Sequence, residues 1–456
     1  MATEIKGRTV VQTPEAGAIT PDPAEGCVEA PKYSCALGGA LSAINNVYRV
    51  IPIVHSGAGC GQNQNFRSYS AGSQGIGYVG GTVTPATCIS EHEVVFGGEG
   101  RLREQIEATM EIMDGDLFVV VTGCIPNMIG DDVDAVVGEF RKQGKPIISI
   151  GSPGFSGNTF HGYELFFDAV ITQYLTKTDT PKIKGLVNLL GVVPYQDLFW
   201  RGDLQAIRRD LEKLGLSVNV IFGDLGGVNN LKKIPAAELN IVLSPWVGIK
   251  AAKSLEDKFG TPYIVTPMPS GLLDTSDFLR KVAKALKLPK KRVDAVIDEQ
   301  DRESFFELDL AADMTSSFSA ALPFALVANS GQAIKLTRFL ANEGGFLPVV
   351  VIVNDNPPEE YRDRIIKDLS TLESGYKPEV IFEVDTYRIR QLLSKRVFRL
   401  LLASSQERYY AADNRLLHLS VSYPAGNRLI ANRTYAGYLG GLTLLEDVIS
   451  LIIAPF

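Results

Sequence analysis

The sequence predicts an α/β fold made of three Rossmann-like domains with parallel sheets. Short β-rich runs alternate with longer amphipathic stretches along the chain, which is typical of parallel α/β domains. At 456 residues, the chain is too long for one ordinary hydrophobic core. A polar stretch, TKTDTPKIKG (176–185), and a charged helical stretch that ends near residue 320 divide it into units of ordinary domain size.

The N-terminal third contains the first of these domains. Residues 1–30 are rich in Pro, Gly and Ala, and we expect them to form an extended N-terminal arm. Residues 31–180 follow, with strand candidates in IPIV (51–54), DLFVVV (116–121) and PIISI (146–150). A Gly-containing loop follows each candidate, and ligands gather at such loops in open parallel sheets.

The rest of the chain repeats this rhythm twice. The predicted second domain (181–318) has strand candidates in GLVNLLG, SVNVIFG, LNIVLSP and PYIVTPM. The predicted third domain (319–456) has them in PFALVANSG, LPVVVIVND, EVIFEV and RLLLAS. An apolar stretch around YLGGLTLLEDVISLII predicts a closing C-terminal helix.

Composition and charge exclude several classes of protein. Hydrophobic residues make up 45% and charged residues 21%, which fits a soluble, folded protein. The net charge of -7 argues against nucleic acid or an anionic membrane as the main partner. No apolar run is long enough to cross a bilayer, and the N-terminus lacks a secretory signal, so we expect a cytoplasmic protein.

The cysteines are unevenly distributed. All five (Cys27, Cys35, Cys60, Cys88 and Cys124) lie in the first third of the chain. In a reducing cytoplasm they should not form structural disulfides. The absence of a CxxC pair excludes the commonest zinc and redox signatures.

Three of these cysteines suit an iron–sulfur cluster, which needs thiolates from rigid, well-separated loops. Cys60 and Cys124 follow predicted strands directly, each behind a Gly. Cys35 precedes the predicted helix ALGGALSAINNV, whose N-terminus favours a thiolate. Three thiolates are one short of the usual four, and a cluster completed by a second chain would resolve that shortfall. Spacing alone leaves open that these are ordinary small buried residues.

Longer motifs carry a family resemblance. The segments KYSCALGGAL, IVHSGAGC, EVVFGGEGRLREQI and TGCIPNMIGDDVDAVV resemble the cluster-binding region of nitrogenase component 1 subunits, in the family's order. LSPWVGIKAAK, MPSGLLDTSDFLRKV and YPAGNRLIANRTYAGYLGG resemble the beta subunit of the molybdenum–iron protein. The resemblance implies a nitrogenase component 1-like fold. It also implies that Cys35, Cys60 and Cys124 ligate a P-cluster-type [8Fe-7S] cluster shared with an alpha-type subunit.

The same resemblance implies partners. The chain would form an α2β2 heterotetramer with the alpha-type subunit and would receive electrons from a homodimeric, ATP-dependent iron protein. No G-x-x-x-x-G-K-[ST] motif occurs here, and VANSGQAIK and FGDLGG do not complete a dinucleotide fingerprint. We therefore expect no nucleotide to bind this chain.

Several positions depart from the family pattern. The loop LSPWVG carries Ser244 where alpha subunits have the cysteine that binds the catalytic cofactor, and His418 lies in a β-like context typical of a structural residue. We therefore predict no catalytic residue in this chain. In GSPGFSG, Gly154 stands where molybdenum enzymes commonly have a Ser that can join the oxidised cluster, with Ser152 and Ser156 nearby. A redox-dependent hydroxyl ligand is therefore not expected.

The remaining candidate donors are weaker. Cys88 falls where relatives often have Ser, and is interpreted as a buried thiol beside the cluster or a possible further ligand. Cys27 lies in the arm and is not expected to be a ligand. The adjacent His92 and Glu93 are expected to be solvated or supporting residues.

The leading functional hypothesis is the electron-relay subunit of a nitrogenase-like reductase. The departures resemble the methylthio-alkane reductases, which cleave carbon–sulfur bonds of small thioethers. The alternatives are a divergent dinitrogen-reducing enzyme, a scaffold for nitrogenase cofactor assembly and an α/β binding protein without a cluster.

Overall fold

The chain folds around three parallel sheets. The computed structural model describes residue 29 and residues 32–74, 84–176, 179–223, 226–318 and 321–453. The strands are β1 (Val50–His55), β2 (Leu117–Thr122), β3 (Ile147–Gly151), β4 (Leu186–Leu190), β5 (Ser217–Asn219), β6 (Leu239–Val242), β7 (Tyr263–Val265), β8 (Pro323–Ala328), β9 (Leu347–Val353), β10 (Glu379–Phe382), β11 (Leu400–Ala403) and β12 (Leu417–Ser420).

Helices connect the strands. They are α1 (Ala36–Asn45), α2 (Ala58–Ser70), α3 (Glu91–Phe96), α4 (Glu99–Ile112), α5 (Cys124–Ile129), α6 (Val133–Lys142), α7 (Thr159–Ala169), α8 (Trp200–Lys213), α9 (Val228–Lys233), α10 (Ile249–Phe259), α11 (Gly271–Ala285), α12 (Lys290–Phe318), α13 (Ser330–Asn342), α14 (Glu359–Ser370), α15 (Thr386–Ser394), α16 (Arg408–Asp413) and α17 (Gly437–Ile453). In the part of the chain described, no helix is long and apolar enough to cross a membrane.

The sheets confirm the predicted fold class. Their strand orders are β1-β2-β3, β5-β4-β6-β7 and β10-β9-β8-β11-β12, and every named pairing is parallel. Strands β1 and β2 are buried along their whole length, as expected when helices cover both faces of a parallel sheet. The predicted domain boundaries stay predictions.

The first sheet brings three loops to one edge. His55 pairs with Thr122, and Thr122 pairs with Gly151, so β1, β2 and β3 end at the same level. The chain leaves β1 toward α2, β2 toward α5, and β3 through the 3-10 turn Gly154–Ser156 toward α7. The two predicted cysteines that follow β1 and β2 therefore lie at this edge.

Helices α1 and α7 pack with their backbones in close approach. A Cβ on Gly39 would lie 1.8 Å from the Thr159 carbonyl oxygen, and one on Gly162 would lie 2.0 Å from the Ala36 carbonyl oxygen. Only glycine permits such an approach. The contact fixes the start of α1 against the loop that follows β3.

The C-terminal helix α17 matches the predicted apolar helix. It contacts β12 of the third sheet, and it also packs against α8, α11 and α12. The last helix therefore joins the third segment to the second. The predicted N-terminal arm lies outside the described residues except for Glu29, and Cys27 lies outside them as well.

Candidate functional site

Cys35 is the N-cap residue of α1. Its carbonyl oxygen accepts hydrogen bonds from the amides of Gly38 (3.1 Å) and Gly39 (3.3 Å), which begin the helix. The Ala36 amide donates to the Gly157 carbonyl oxygen at 2.9 Å, tying the helix start to the loop after β3. Cys35 is partly buried.

Cys60 lies in the first turn of α2, which begins after Gly57. Its amide donates to the Gly57 carbonyl oxygen at 3.1 Å. The Ser56 hydroxyl donates a hydrogen bond to the Cys60 sulfur at 3.2 Å. This thiol is also partly buried.

Cys124 is the first residue of α5, and Gly123 is the N-cap. The Gly154 amide donates to the Cys124 sulfur at 3.0 Å. The Gly123 amide donates to the His55 carbonyl oxygen at 2.9 Å, so this turn is anchored to the end of β1.

Two glycines bring the three thiols into one neighbourhood. A Cβ on Gly154 would lie 3.1 Å from the Cys124 sulfur and 3.6 Å from the Cys35 sulfur. A Cβ on Gly123 would lie 2.2 Å from the Ser56 hydroxyl oxygen, which itself contacts Cys60. The three cysteines singled out by sequence thus gather around the carboxyl edge of the first sheet.

The three cysteines suit an iron–sulfur cluster better than a single metal ion. Among the described residues, no three His, Cys, Asp or Glu side chains lie close enough together to hold a single metal ion. An iron–sulfur cluster makes a different demand, because its thiolate ligands bind separate irons. Three sulfurs at helix starts, with backbone and hydroxyl donors aimed at two of them and bare glycines between them, fit such a cluster.

Cys88 does not match its predicted environment. Its segment runs beside β1: the Thr87 amide donates to the Val54 carbonyl oxygen and the Ile89 amide to that of Ser56. The prediction of a buried thiol is wrong, because Thr87 is the buried residue and Cys88 is exposed, with φ +52°. The Cys88 thiol is therefore at the surface and not in the packed interior.

Sequence reasoning missed His55, which lies beneath the site and is fully buried. Its Nδ1 lies 3.2 Å from the Thr87 hydroxyl and its Nε2 lies 3.0 Å from Asp131 Oδ2. Asp131 Oδ1 accepts a hydrogen bond from the Gly98 amide at 2.9 Å. Burial lowers the pKa of His55, and Asp131 opposes that effect. His55 thus joins the end of β1 to the loops before α4 and α6.

The two histidines considered from the sequence, His92 and His418, have contacts typical of surface and structural residues. His92 is exposed, while Glu93 caps α3 by accepting hydrogen bonds from the amide and hydroxyl of Ser90. His418 Nε2 lies 2.9 Å from the Ser404 carbonyl oxygen at the edge of the third sheet. These contacts agree with the supporting and structural roles predicted for them.

Ser244 lies in a small polar cavity between the sheets. Its hydroxyl accepts a hydrogen bond from the Val247 amide at 3.2 Å. The cavity has a volume of about 20 Å³, and Asp197, Asp203 and Lys335 are among its lining residues. Such a space holds one water molecule. It is far too small for a metal cofactor.

Exposed apolar side chains lie near the carboxyl edge of the first sheet, called the thiol edge here because Cys35, Cys60 and Cys124 lie there. Met128 on α5 is 68% exposed, and Phe155 beside Gly154 is 65% exposed. Phe96 at the end of α3 is 75% exposed, next to exposed Val95. Exposed apolar patches of this kind often mark sites of protein–protein interaction.

Comparison with known proteins shows what this architecture resembles. The chain is 27% identical over 429 residues to the nitrogenase iron-molybdenum cofactor biosynthesis protein NifE of Clostridium pasteurianum, covering 92% of this chain and 88% of the relative. It is 24% identical over 459 residues to the nitrogenase vanadium-iron protein beta chain of Trichormus variabilis, covering 93% and 94%.

A solved structure shares the fold. Nitrogenase Cp1 at pH 6.5 superposes on this chain with a TM-score of 0.78 at 19% sequence identity, covering 94% of each chain. Residues 35–453, which include the three clustered cysteines and all three sheets, match the family described as nitrogenase component 1 type oxidoreductase. The chain belongs to the nitrogenase component 1 family.

Proposed function

We propose that this chain is the electron-relay subunit of a nitrogenase-like reductase. Cys35, Cys60 and Cys124 would supply three thiolates to a P-cluster-type iron–sulfur cluster, and an alpha-type subunit would supply the others. When bound, the cluster accepts and passes on electrons. This chain would hold the three sulfurs in place, and it aims hydrogen-bond donors at those of Cys60 and Cys124.

The observation that carries the proposal is the meeting of three distant cysteines at one sheet edge. Cys35 and Cys124 both lie against Gly154, and Cys60 is linked to Gly123 through Ser56. Cysteines that served only as core packing would have no need of two side-chain-free positions between them. Gly154 leaves space beside the Cys35 and Cys124 sulfurs, which a bulky inorganic core requires, and Gly123 leaves room for the Ser56 side chain that contacts Cys60.

The exposed edge supports a shared cluster. Met128 and Phe155 lie beside the thiols and are largely exposed. A second subunit that covered these side chains would bury apolar surface and would also close the thiol site from water. The alpha-type partner therefore has both a surface to bind and a ligand set to complete.

A further exposed patch suits the docking of an electron donor. Val95 and Phe96 end the short helix α3, which packs against α5 and so lies close to Cys124. A homodimeric, ATP-dependent iron protein that docked on this patch would place its own cluster near the thiol edge. Short distances of this kind are what electron delivery needs.

The catalytic cofactor is assigned to the partner. The cavity at Ser244 measures about 20 Å³, and no cysteine lines it. For the reaction itself we propose reductive carbon–sulfur cleavage of methylthio-alkanes, because the departures from the family pattern resemble the methylthio-alkane reductases. Dinitrogen reduction is the alternative within the same mechanism.

A second candidate function follows from one comparison. The relative from Clostridium pasteurianum is a cofactor biosynthesis protein, and its identity of 27% is similar to that of the beta chain from Trichormus variabilis, at 24%. A scaffold role would use the same thiol edge but would not support catalytic turnover. Repeated turnover of a small substrate therefore separates the two functions.

The test is anaerobic purification of the chain with its alpha-type partner, followed by iron and sulfide analysis and EPR. Wild-type complex should carry the iron of a shared cluster. Cys35→Ala, Cys60→Ala and Cys124→Ala should each lower the iron content, because each removes one sulfur ligand. Cys88→Ala is the matched control and should keep the wild-type content, since its thiol is exposed whereas the other three are partly buried.

Two outcomes would refute this assignment. An iron-free wild-type complex would show that no cluster is bound. Full iron content in all three alanine variants would show that any cluster is bound elsewhere. For the reaction, thioether-dependent hydrocarbon release supports the proposed substrate class. Reduction of dinitrogen or acetylene without activity on thioethers would transfer the assignment to dinitrogen reduction.

A further inference from the structure

We infer that Ser56 sets the reduction potential of the cluster through its hydrogen bond to the Cys60 sulfur. The inference rests on the proposed function, since it requires a cluster at Cys60. It concerns a hydroxyl that sequence reasoning did not single out. Ser56 is a positioning residue here, because it acts through the thiolate that it contacts.

The hydroxyl is buried and aimed at sulfur. Ser56 is 1% exposed, and its Oγ lies 3.2 Å from the Cys60 sulfur, where it donates. Water therefore has little access to compete for this hydroxyl. A hydrogen bond to a charged sulfur in such a place is worth more than one at the surface.

The backbone of Ser56 is held from the neighbouring segment. Its amide donates to the Thr87 hydroxyl at 3.2 Å, and its carbonyl oxygen accepts from the Ile89 amide at 3.0 Å. Thr87 is itself held by His55, whose Nδ1 lies 3.2 Å from the same hydroxyl. The residue is thus fixed by contacts independent of any cluster.

Gly123 provides the room that the hydroxyl occupies. A Cβ at position 123 would lie 2.2 Å from Ser56 Oγ and 2.7 Å from Ser56 Cβ. Any other residue at 123 would push the hydroxyl away from Cys60. The pair therefore acts as a unit: one position gives up its side chain so that the other can reach the sulfur.

The consequence for redox chemistry follows from charge. Reduction adds negative charge to a cluster and its sulfur ligands, and a donor hydrogen bond stabilises that charge. The Ser56 hydroxyl should therefore raise the midpoint potential. Two hydrogen bonds to these sulfurs are described. The Gly154 amide is a backbone donor to Cys124, and the Ser56 hydroxyl is the side-chain donor, to Cys60.

The test is the Ser56→Ala variant of the complete complex, titrated with dithionite and mediators while EPR follows the cluster. We expect unchanged iron content and a lower midpoint potential. A tenfold change in the ratio of reduced to oxidised cluster would correspond to a shift of about 59 mV for a one-electron couple. In wild-type complex exchanged into D₂O, the Ser56 hydroxyl should add a deuteron coupling to the one from the Gly154 amide, and the variant should lose only the hydroxyl coupling.

Ser156→Ala is the matched control. Its hydroxyl also lies in a loop at this edge, but it donates to the Pro153 carbonyl oxygen at 2.8 Å. The control should keep the wild-type potential. An unchanged potential in Ser56→Ala overturns the inference, and so does loss of iron in that variant, because the hydroxyl would then serve cluster retention. Failure of the proposed function would show instead as iron-free wild-type complex.

Discussion

Gly154→Ala is the substitution that tests the thiol site most directly. The new methyl group would lie 3.1 Å from the Cys124 sulfur, 3.3 Å from Cys35 Cβ and 3.6 Å from the Cys35 sulfur. Carbon and sulfur atoms in ordinary contact lie farther apart than the shortest of these distances. The methyl group would also occupy the space between two sulfurs that the cluster needs.

The size of the effect can be worked from that crowding. Inserting a methyl group into a packed site costs about 1–3 kcal/mol. Since about 1.4 kcal/mol is a factor of ten in an equilibrium constant, cluster retention should weaken by roughly 5- to 140-fold. Folding should be affected less, because the Cys35 and Cys124 side chains are only partly buried and can move outward when no cluster holds them.

The measurement is iron per complex after a chelator challenge, with thermal unfolding as the check on folding. Gly151→Ala is the control, since a Cβ at position 151 would have no neighbour within 4 Å. It should retain wild-type iron. If Gly154→Ala retains iron as well as Gly151→Ala does, the space beside Gly154 is not where the cluster lies.

Two further predictions concern stability. Burial raises the pKa of Glu164 to about 7 from 4.5. The folded chain therefore binds a proton at Glu164 more tightly than the unfolded chain does. The resulting contribution to stability is full below pH 4.5 and is lost as the pH rises through about 7. Urea unfolding of Glu164→Gln should lack this fall, which amounts to roughly 3 kcal/mol, and equal pH slopes for both proteins would contradict the assignment. Lys335 and Asp203 form a buried ion pair at 2.6 Å, so Lys335→Met should cost about 3–5 kcal/mol by stranding the carboxylate. Lys281→Met, which breaks an exposed pair, should cost less than about 1 kcal/mol in the same urea assay, and similar losses in both variants would refute the role of burial.

The first sheet was predictable because its signals are local. IPIV, DLFVVV and PIISI are short apolar runs ended by Gly-containing loops, and they form β1, β2 and β3. Parallel strands end at one edge, so cysteines placed after two of them had to lie near each other. The gathering of Cys60 and Cys124 thus followed from chain order alone.

The misjudged features depend on contacts between distant parts of the chain. His55 makes its hydrogen bonds with Thr87 and Asp131, which are 32 and 76 residues away. Those bonds turn Thr87 inward and leave Cys88 exposed, and nothing in the sequence around Cys88 signals this. Helix α17 was predicted from its apolar run, but its packing on helices of the second segment could not be read from that run.

The packing around Ser244 explains why the proposed redox group belongs at an edge. The Trp246 indole donates to Asp355 at 2.8 Å, and the Lys335 ammonium donates to Asp203 at 2.6 Å, so charged and aromatic side chains fill the space between the sheets. Opening that space would strand buried charges, at a cost of several kcal/mol for each. At the carboxyl edge of the first sheet, in contrast, Cys35, Cys60 and Cys124 are only partly buried. A group held there is reachable from a second subunit and from a docked donor at once, which an enclosed cofactor would not be. We therefore propose that this chain relays electrons at the edge of its first sheet and that the partner subunit holds the catalytic cofactor, since the space around Ser244 is already filled by side chains.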